Sequence, residues 1–228
     1  MEEECLRWET GLVIRVHVMV EGQTEETFVR DVLYDHLQHH GVFLNPILLR
    51  TSTQGRGGVV SYAKVRPQLI RQCRQDTTAT VTTMIDLYRL PGDFPGSQAC
   101  VDADVYRRVT CLEGALADDV GCRNFIANLS VHEFEALLFA DLSKFEDWFD
   151  GSAMVNLRTQ VPDASAPEKI NDGAETAPSK RIAAALAGHG YQKPFHGPLI
   201  AMDIGLEPMR ERCPHFDAWL KRLEGLIP

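Results

Sequence analysis

Two acids hold positions from which metal or proton-transfer chemistry is available: Glu21, in Val20-Glu21-Gly22-Gln23-Thr24-Glu25-Glu26, and Asp86, in Met84-Ile85-Asp86-Leu87-Tyr88. Each directly follows a β-branched apolar run, residues 12–20 and 80–85, so each is expected at the carboxyl end of a strand. In an open parallel sheet, ligands collect outside that edge. Two carboxylates converging there supply the hard oxygens that Mg²⁺ or Mn²⁺ takes, and a carboxylate near water can move a proton. Gly22 would allow a tight turn and close approach of a ligand to the backbone. An acid that merely ends a strand in solvent, before a helix N-terminus, needs no such role. The pair alone leaves both readings open.

Further ligands are sought after the third and fourth strands. Asp93 lies in the turn-prone Leu90-Pro91-Gly92-Asp93-Phe94-Pro95-Gly96 loop, as a metal ligand folded over the crevice or as a turn aspartate. Glu133, in Val131-His132-Glu133-Phe134-Glu135, is a metal ligand or a helix-start cap. If that segment is helical, His132 and Glu135 share a face and Glu133 points elsewhere. Ala136 in place of a second histidine excludes a zincin motif.

Candidate phosphate contacts are Arg56, in Gly55-Arg56-Gly57-Gly58, and Lys180 and Arg181 at a helix start, with Lys193 and Arg210 behind them. The glycine-rich loop could cradle a phosphate on its N–H groups but lacks the Lys-Ser/Thr ending of a Walker loop, so nucleotide hydrolysis is not expected. Each cation alone is more often a solvated surface charge.

The elements that must position these residues alternate as β-α-β-α-β-α-β, followed by helices. This is the pattern of an α/β fold with a mostly parallel sheet flanked by helices, Rossmann-like in its winding. Strands are expected at 12–20, 46–49, 80–85 and 125–129. Helices are expected from a Thr24 cap onward, around 61–75, 102–120, 131–139, 180–187 and 216–226. The chain divides into an N-terminal extension (1–11), an α/β core (12–150), a flexible excursion rich in Pro, Ala, Asp and Ser (151–178) and a C-terminal helical layer packed on the core (179–228).

With 228 residues and 44% apolar side chains, the chain can bury one core of its own. A net charge of −9 disfavours broad electrostatic adhesion to nucleic acid. No apolar run approaches the roughly 20 residues that span a bilayer, and the acidic N-terminus lacks a signal peptide's basic flank, so a cytoplasmic protein is expected. The six cysteines show no CxxC pair and are expected as reduced thiols.

The segment Val20-Glu21-Gly22-Gln23-Thr24-Glu25-Glu26-Thr27-Phe28-Val29 resembles the opening motif of TOPRIM-like proteins, including the nuclease domains of bacterial overcoming-lysogenization-defect (OLD) enzymes. The segments around Asp86, around His132 and from Gly205 to Phe216 resemble a narrower TOPRIM-like bacterial family, domain of unknown function 4276, often encoded near ATPases in defence loci. The resemblance implies a Mg²⁺-dependent nuclease in which Glu21 serves as general acid or base and Asp86 helps to hold the metal. It also implies an ATPase partner and a role in anti-phage defence. The TOPRIM pattern has a second aspartate two residues after the first, where this chain has Tyr88. A phenol, with an ordinary pKa near 10, is a poor Mg²⁺ ligand. Hence a third carboxylate from elsewhere completes the site, or the chain is a weak or inactive TOPRIM-like binding partner of an ATPase.

Overall fold

Residues 13–50, 61–170, 173 and 175–226 are described by the computed structural model of the chain. The N-terminal extension and the glycine-rich loop with Arg56 lie outside the described residues. In strand β1 (Ile14–Val20), alternation sorts the side chains, so that Val16, Val18 and Val20 enter one apolar core and Met19 another. The strand is buried on both faces because it is flanked in parallel by β2 (Val42–Leu48) and β3 (Thr80–Asp86). β2 is an edge strand, where Pro46 costs little ladder pairing. It begins four residues before the run expected from sequence.

The fourth strand, expected as one run, is two short pieces, β4 (Phe125–Ile126) and β5 (Leu129–Ser130), both parallel to β3. The break falls at Ala127-Asn128, where side chains replace the ladder. Thr83 Oγ1 donates to the Asn128 carbonyl (2.6 Å) and accepts the Asn128 N–H (3.1 Å), while Asn128 Nδ2 donates to the Thr83 carbonyl (3.0 Å). These bonds satisfy two polar residues that are both buried. The sheet order is β2-β1-β3-β4, with every pairing parallel.

Helix α1 covers residues 23–39, with a π-helical turn at Val29–Leu33. Its N-cap is Gly22 rather than the expected Thr24, which is buried inside the first turn. Helices α2 (Tyr62–Gln75) and α3 (Val105–Val120) cover the Met19 face of the sheet. Of the apolar stripe that the sequence places on one face of α3, Val109, Leu112 and Leu116 are buried and Val105 is partly buried; Asp104 caps the start and Gly121 ends the helix in the left-handed region.

The Val16 face is covered by α1 and by the helices C-terminal to β5, namely α4 (Glu135–Leu138), α5 (Gly151–Gln160), α6 (Pro178–Ala185), α7 (Lys193–Ile204), α8 (Leu206–Arg212) and α9 (Pro214–Glu224). The C-terminal helices share that core with β1, and Trp219 Nε1 donates to Thr82 Oγ1 at 3.0 Å. The first part of the stretch expected as a flexible excursion carries α5, with Met154 and Leu157 buried, because its few apolar residues fall at helical spacing behind an Asp150 cap.

The cysteine expectation is corrected at one pair: Cys100 and Cys111 form a disulfide, with Cα atoms 5.6 Å apart, whereas Cys73, Cys122 and Cys213 are free. The loop leaving β3 folds back onto α3, a contact that no local cysteine spacing announces. Among the described residues, no helix is long and apolar enough to cross a membrane.

Candidate functional site

Asp86 is the last residue of β3 and, by alternation, lies on the same face as Met84 and the C-terminal helices. Its Oδ1 accepts the Phe134 N–H at 3.0 Å, and its own N–H donates to Glu21 Oε2 at 3.4 Å. Topology thus brings together the two acids expected at adjacent strand ends.

The Phe134 contact explains why the expected helix at 131–139 shrinks to Glu135–Leu138. His132 is in the left-handed region (φ 63°), so the chain turns before the helix begins. Its carbonyl accepts the Tyr88 N–H at 2.7 Å, and Arg89 next to Tyr88 is also left-handed (φ 58°). Two non-glycine residues in that region, one on each of the crossing segments, cost about 1 kcal/mol or more apiece. Since 132–134 is not helical, the expected sharing of a face by His132 and Glu135 does not hold. The turn instead directs both Glu133 and Glu135 toward Asp86, and one carboxylate oxygen from each of the three residues lies within 4.8 Å of the others.

Glu135 is fully buried, and Lys193 Nζ lies 2.8 Å from its Oε1 and 3.1 Å from its Oε2. Lys193 also approaches Glu25 Oε1 at 3.9 Å. Pro194 at the start of α7 favours a helix beginning there, and Gly197 lets the helix approach closely. A Cβ at Gly197 would sit 3.3 Å from Thr24 and 3.4 Å from Phe134. Gly22 has a comparable role: its backbone is extended, and a Cβ would meet Glu25 Oε2 at 2.9 Å. The glycine makes room for a carboxylate of the chain itself. Glu133 accepts the Ser179 N–H and hydroxyl, each at 2.8 Å, and so fixes the first turn of α6 against the cluster.

The electrostatics are those of a site short of positive charge. Burial, and then the charges of Glu21 and Glu25, push the Asp86 carboxyl well above the usual range against the pull of Lys193. Burial also raises Glu135, with Lys193 opposing it. For Lys193, burial favours the neutral amine, but Glu135, Asp86 and Glu25 outweigh it and hold the ammonium charged.

The cluster therefore contains Asp86, Glu133 and Glu135, with Glu21 hydrogen-bonded to Asp86 and Glu25 sharing Lys193. Asp93 is engaged elsewhere: its carboxylate accepts from Ser61 Oγ (2.8 Å) and from the N–H groups of Tyr62 (2.9 Å) and Ala63 (3.1 Å), at the start of α2. The turn-prone loop folds toward α2 rather than back over the crevice. Arg181 ties α6 to the carbonyls of Thr176 (2.6 Å) and Gln160, and Lys180 is exposed. The pairing of Lys193 with Glu135 and the place of Glu25 were missed from sequence. The single local signal was a lysine before a helix-starting proline.

No curated protein and no solved structure matches the chain. Residues 20–224 match the family described as Domain of unknown function (DUF4276). That span opens on the last residue of β1 and takes in every acid of the cluster, and the chain belongs to the DUF4276 family.

Proposed function

We propose that the chain is a Mg²⁺- or Mn²⁺-dependent nuclease of TOPRIM-like kind that cleaves phosphodiester bonds. The observation that carries this reading is the convergence of Asp86, Glu133 and Glu135 within 4.8 Å at the carboxyl edge of a parallel sheet, beside Glu21. The donor set fits a hard divalent cation. It is all carboxylate, and Asp86 and Glu135 are raised by burial and unbalanced negative charge that such an ion would relieve. Glu133 and Glu135 supply the acids that Tyr88 does not.

Asp86, Glu133 and Glu135 would hold the ion. Bound there, it supplies Lewis-acid stabilisation of the phosphoryl oxygens. Glu21, partly exposed and aligned by the Asp86 N–H, is the group to take a proton from attacking water or return one to the leaving oxygen. Lys193, held charged by its acidic neighbours, offers an ammonium to the phosphate. The TOPRIM resemblance extends the reading to a cytoplasmic effector acting with an ATPase in anti-phage defence.

One feature favours a second reading, a weak or inactive TOPRIM-like module that binds an ATPase. The Tyr88 hydroxyl is buried and has no hydrogen-bond partner among the described residues, at the position of the second aspartate. Incubating the purified chain with DNA and RNA in Mg²⁺ or Mn²⁺ separates the two. The nuclease reading expects cleavage by wild type and loss of at least about a thousandfold in Glu21→Ala and Asp86→Ala. Cleavage that survives both substitutions removes the mechanism. No cleavage and no calorimetric metal binding, with an ATPase co-purifying, establishes the second reading.

A further inference from the structure

Helix α2 runs counter to the rest of the chain in charge. Its fourteen residues include Lys64, Arg66, Arg71 and Arg74 and no acid, in a protein of net charge −9. Tyr62, Val65, Leu69 and Cys73 are sunk in the core, so the helix is fixed and its cations lie on the outer face. Arg66 is held by Asp119, the next-to-last residue of α3 (Nε to Oδ2, 2.7 Å). Among the described residues, Lys64, Arg71 and Arg74 make no ion pair, although acids outnumber bases in the chain by 32 to 23. Arg66, Arg71 and Arg74, with Pro67 and Ile70 between them, line an open depression along the helix.

We propose that this face of α2 is a binding track for the phosphate backbone of a nucleic acid; the inference rests on the nuclease reading and names how its polymer substrate is held. A polyanion is repelled by the chain as a whole, so productive approach requires a local concentration of positive charge. From Arg66 to Arg74 the helix rises about 12 Å, the axial length of about three to four phosphates on one strand. Guanidinium groups bind phosphate in forked geometry, and Pro67 and Ile70 give sugars an apolar floor.

The track is joined to the acidic cluster through one loop. α2 packs on the opposite sheet face from that cluster, yet its N-terminus is held by Asp93, in the loop that leaves Asp86. The track begins at Arg66, one turn beyond that contact, and runs toward the C-terminus of the helix.

The test measures binding of fluorescent duplex DNA and single-stranded RNA by anisotropy, in EDTA so that no cleavage occurs, across a salt series. Full-length wild type is compared with Arg71→Gln/Arg74→Gln and Arg71→Glu/Arg74→Glu, whose folding is checked by circular dichroism. The expected result is a loss of about tenfold or more for the charge reversal. For the glutamine pair, the slope of log K against log salt should fall by about 2. Unchanged affinity and slope in both folded variants overturns the track and leaves the nuclease reading standing. So does a wild type that binds neither polymer but captures an acidic protein through α2. Loss of binding in these variants, together with cleavage that survives Glu21→Ala and Asp86→Ala, keeps the track and removes the proposed mechanism.

Discussion

Two charge clusters of similar make-up lie on the same side of the sheet and are balanced in opposite ways. In one, Arg210 of α8 bonds Asp217 (2.7 Å) and Glu224 (2.5 Å) of α9, and His36 of α1 lies 2.6 Å from Glu224. Burial works against ionisation of Glu224, yet Arg210 and His36 hold it below the usual range. Asp217 is likewise lowered, burial being outweighed by Lys221 and Arg210. In the other cluster, Asp86, Glu133 and Glu135 lie together with Glu21 and Glu25 beside them, Lys193 pairs with Glu135 and approaches Glu25, and Asp86 and Glu135 are raised. Ligand atoms of His36, His40 and Glu224 also lie within 4.8 Å of one another, so proximity alone does not distinguish the two. What distinguishes them is the Arg210 guanidinium, 3.4 Å from His36 Nε2, which already supplies the positive charge. Unbalanced charge, rather than crowding of ligands, separates the cluster proposed to take a cation from the one around Arg210.

The largest effect that tests this contrast is expected at Lys193. Lys193→Met leaves the fully buried Glu135 without its ammonium and should cost about 3 kcal/mol of unfolding free energy in urea. If the remaining carboxylates take a divalent ion, as proposed, millimolar Mn²⁺ should recover part of the loss. Arg210→Met, in the balanced cluster, should cost about 2 kcal/mol with no recovery by Mn²⁺. An equal response of the two variants to Mn²⁺ would abolish the distinction.

A smaller effect, of opposite sign, is expected at Asp86. Its carboxyl is raised in the folded state, so the native state binds the proton more tightly than the unfolded chain does. The contribution of Asp86 to wild-type stability should therefore be fully present below the unfolded value near 3.9 and be lost as pH rises through the folded value. Asp86→Asn keeps an acceptor for the Phe134 N–H and removes the charge. It should be more stable than wild type by about 1 kcal/mol at pH 7 to 8, and the advantage should vanish near pH 4. Thermal melts across pH measure this. A variant less stable than wild type at pH 8 would show that the cluster is balanced after all.

How much of this was legible in the sequence depended on the range of the contact. β1 and β3 were readable because a β-branched run is a local signal, and their order placed Glu21 and Asp86 on adjacent strand ends. The helix of α3 was readable from the helical spacing of Val105, Val109, Leu112 and Leu116. Lys193 with Glu135 and Ser179 with Glu133 span 58 and 46 residues, and nothing within either segment encodes the other. Glu133 was expected to diverge from Glu135 because Val131-His132-Glu133-Phe134-Glu135 has helical composition. Hydrogen bonds to Tyr88 and Asp86 override that propensity and hold His132 in the left-handed region. The Cys100–Cys111 bridge was hidden for the same reason: it depends on how a loop folds back onto a helix.

The smallest effect expected is at Asp93, and it settles which acids belong to the unbalanced set. Hydrogen bonds from the Tyr62 and Ala63 N–H groups and from the Ser61 hydroxyl hold this exposed carboxyl below the usual range, as suits an ionised helix cap. Asp93→Ala should therefore lower the melting temperature only slightly, by loosening the first turn of α2. A calorimetric Mn²⁺ titration of this variant should be unchanged from wild type, whereas that of Asp86→Asn should be weakened. Loss of Mn²⁺ binding in Asp93→Ala would move this aspartate into the metal site, as its position in the loop after Asp86 allows. Glu133 would then be left as an anchor for Ser179, and the convergence of three carboxylates would no longer be the feature that separates this cluster from the one around Arg210.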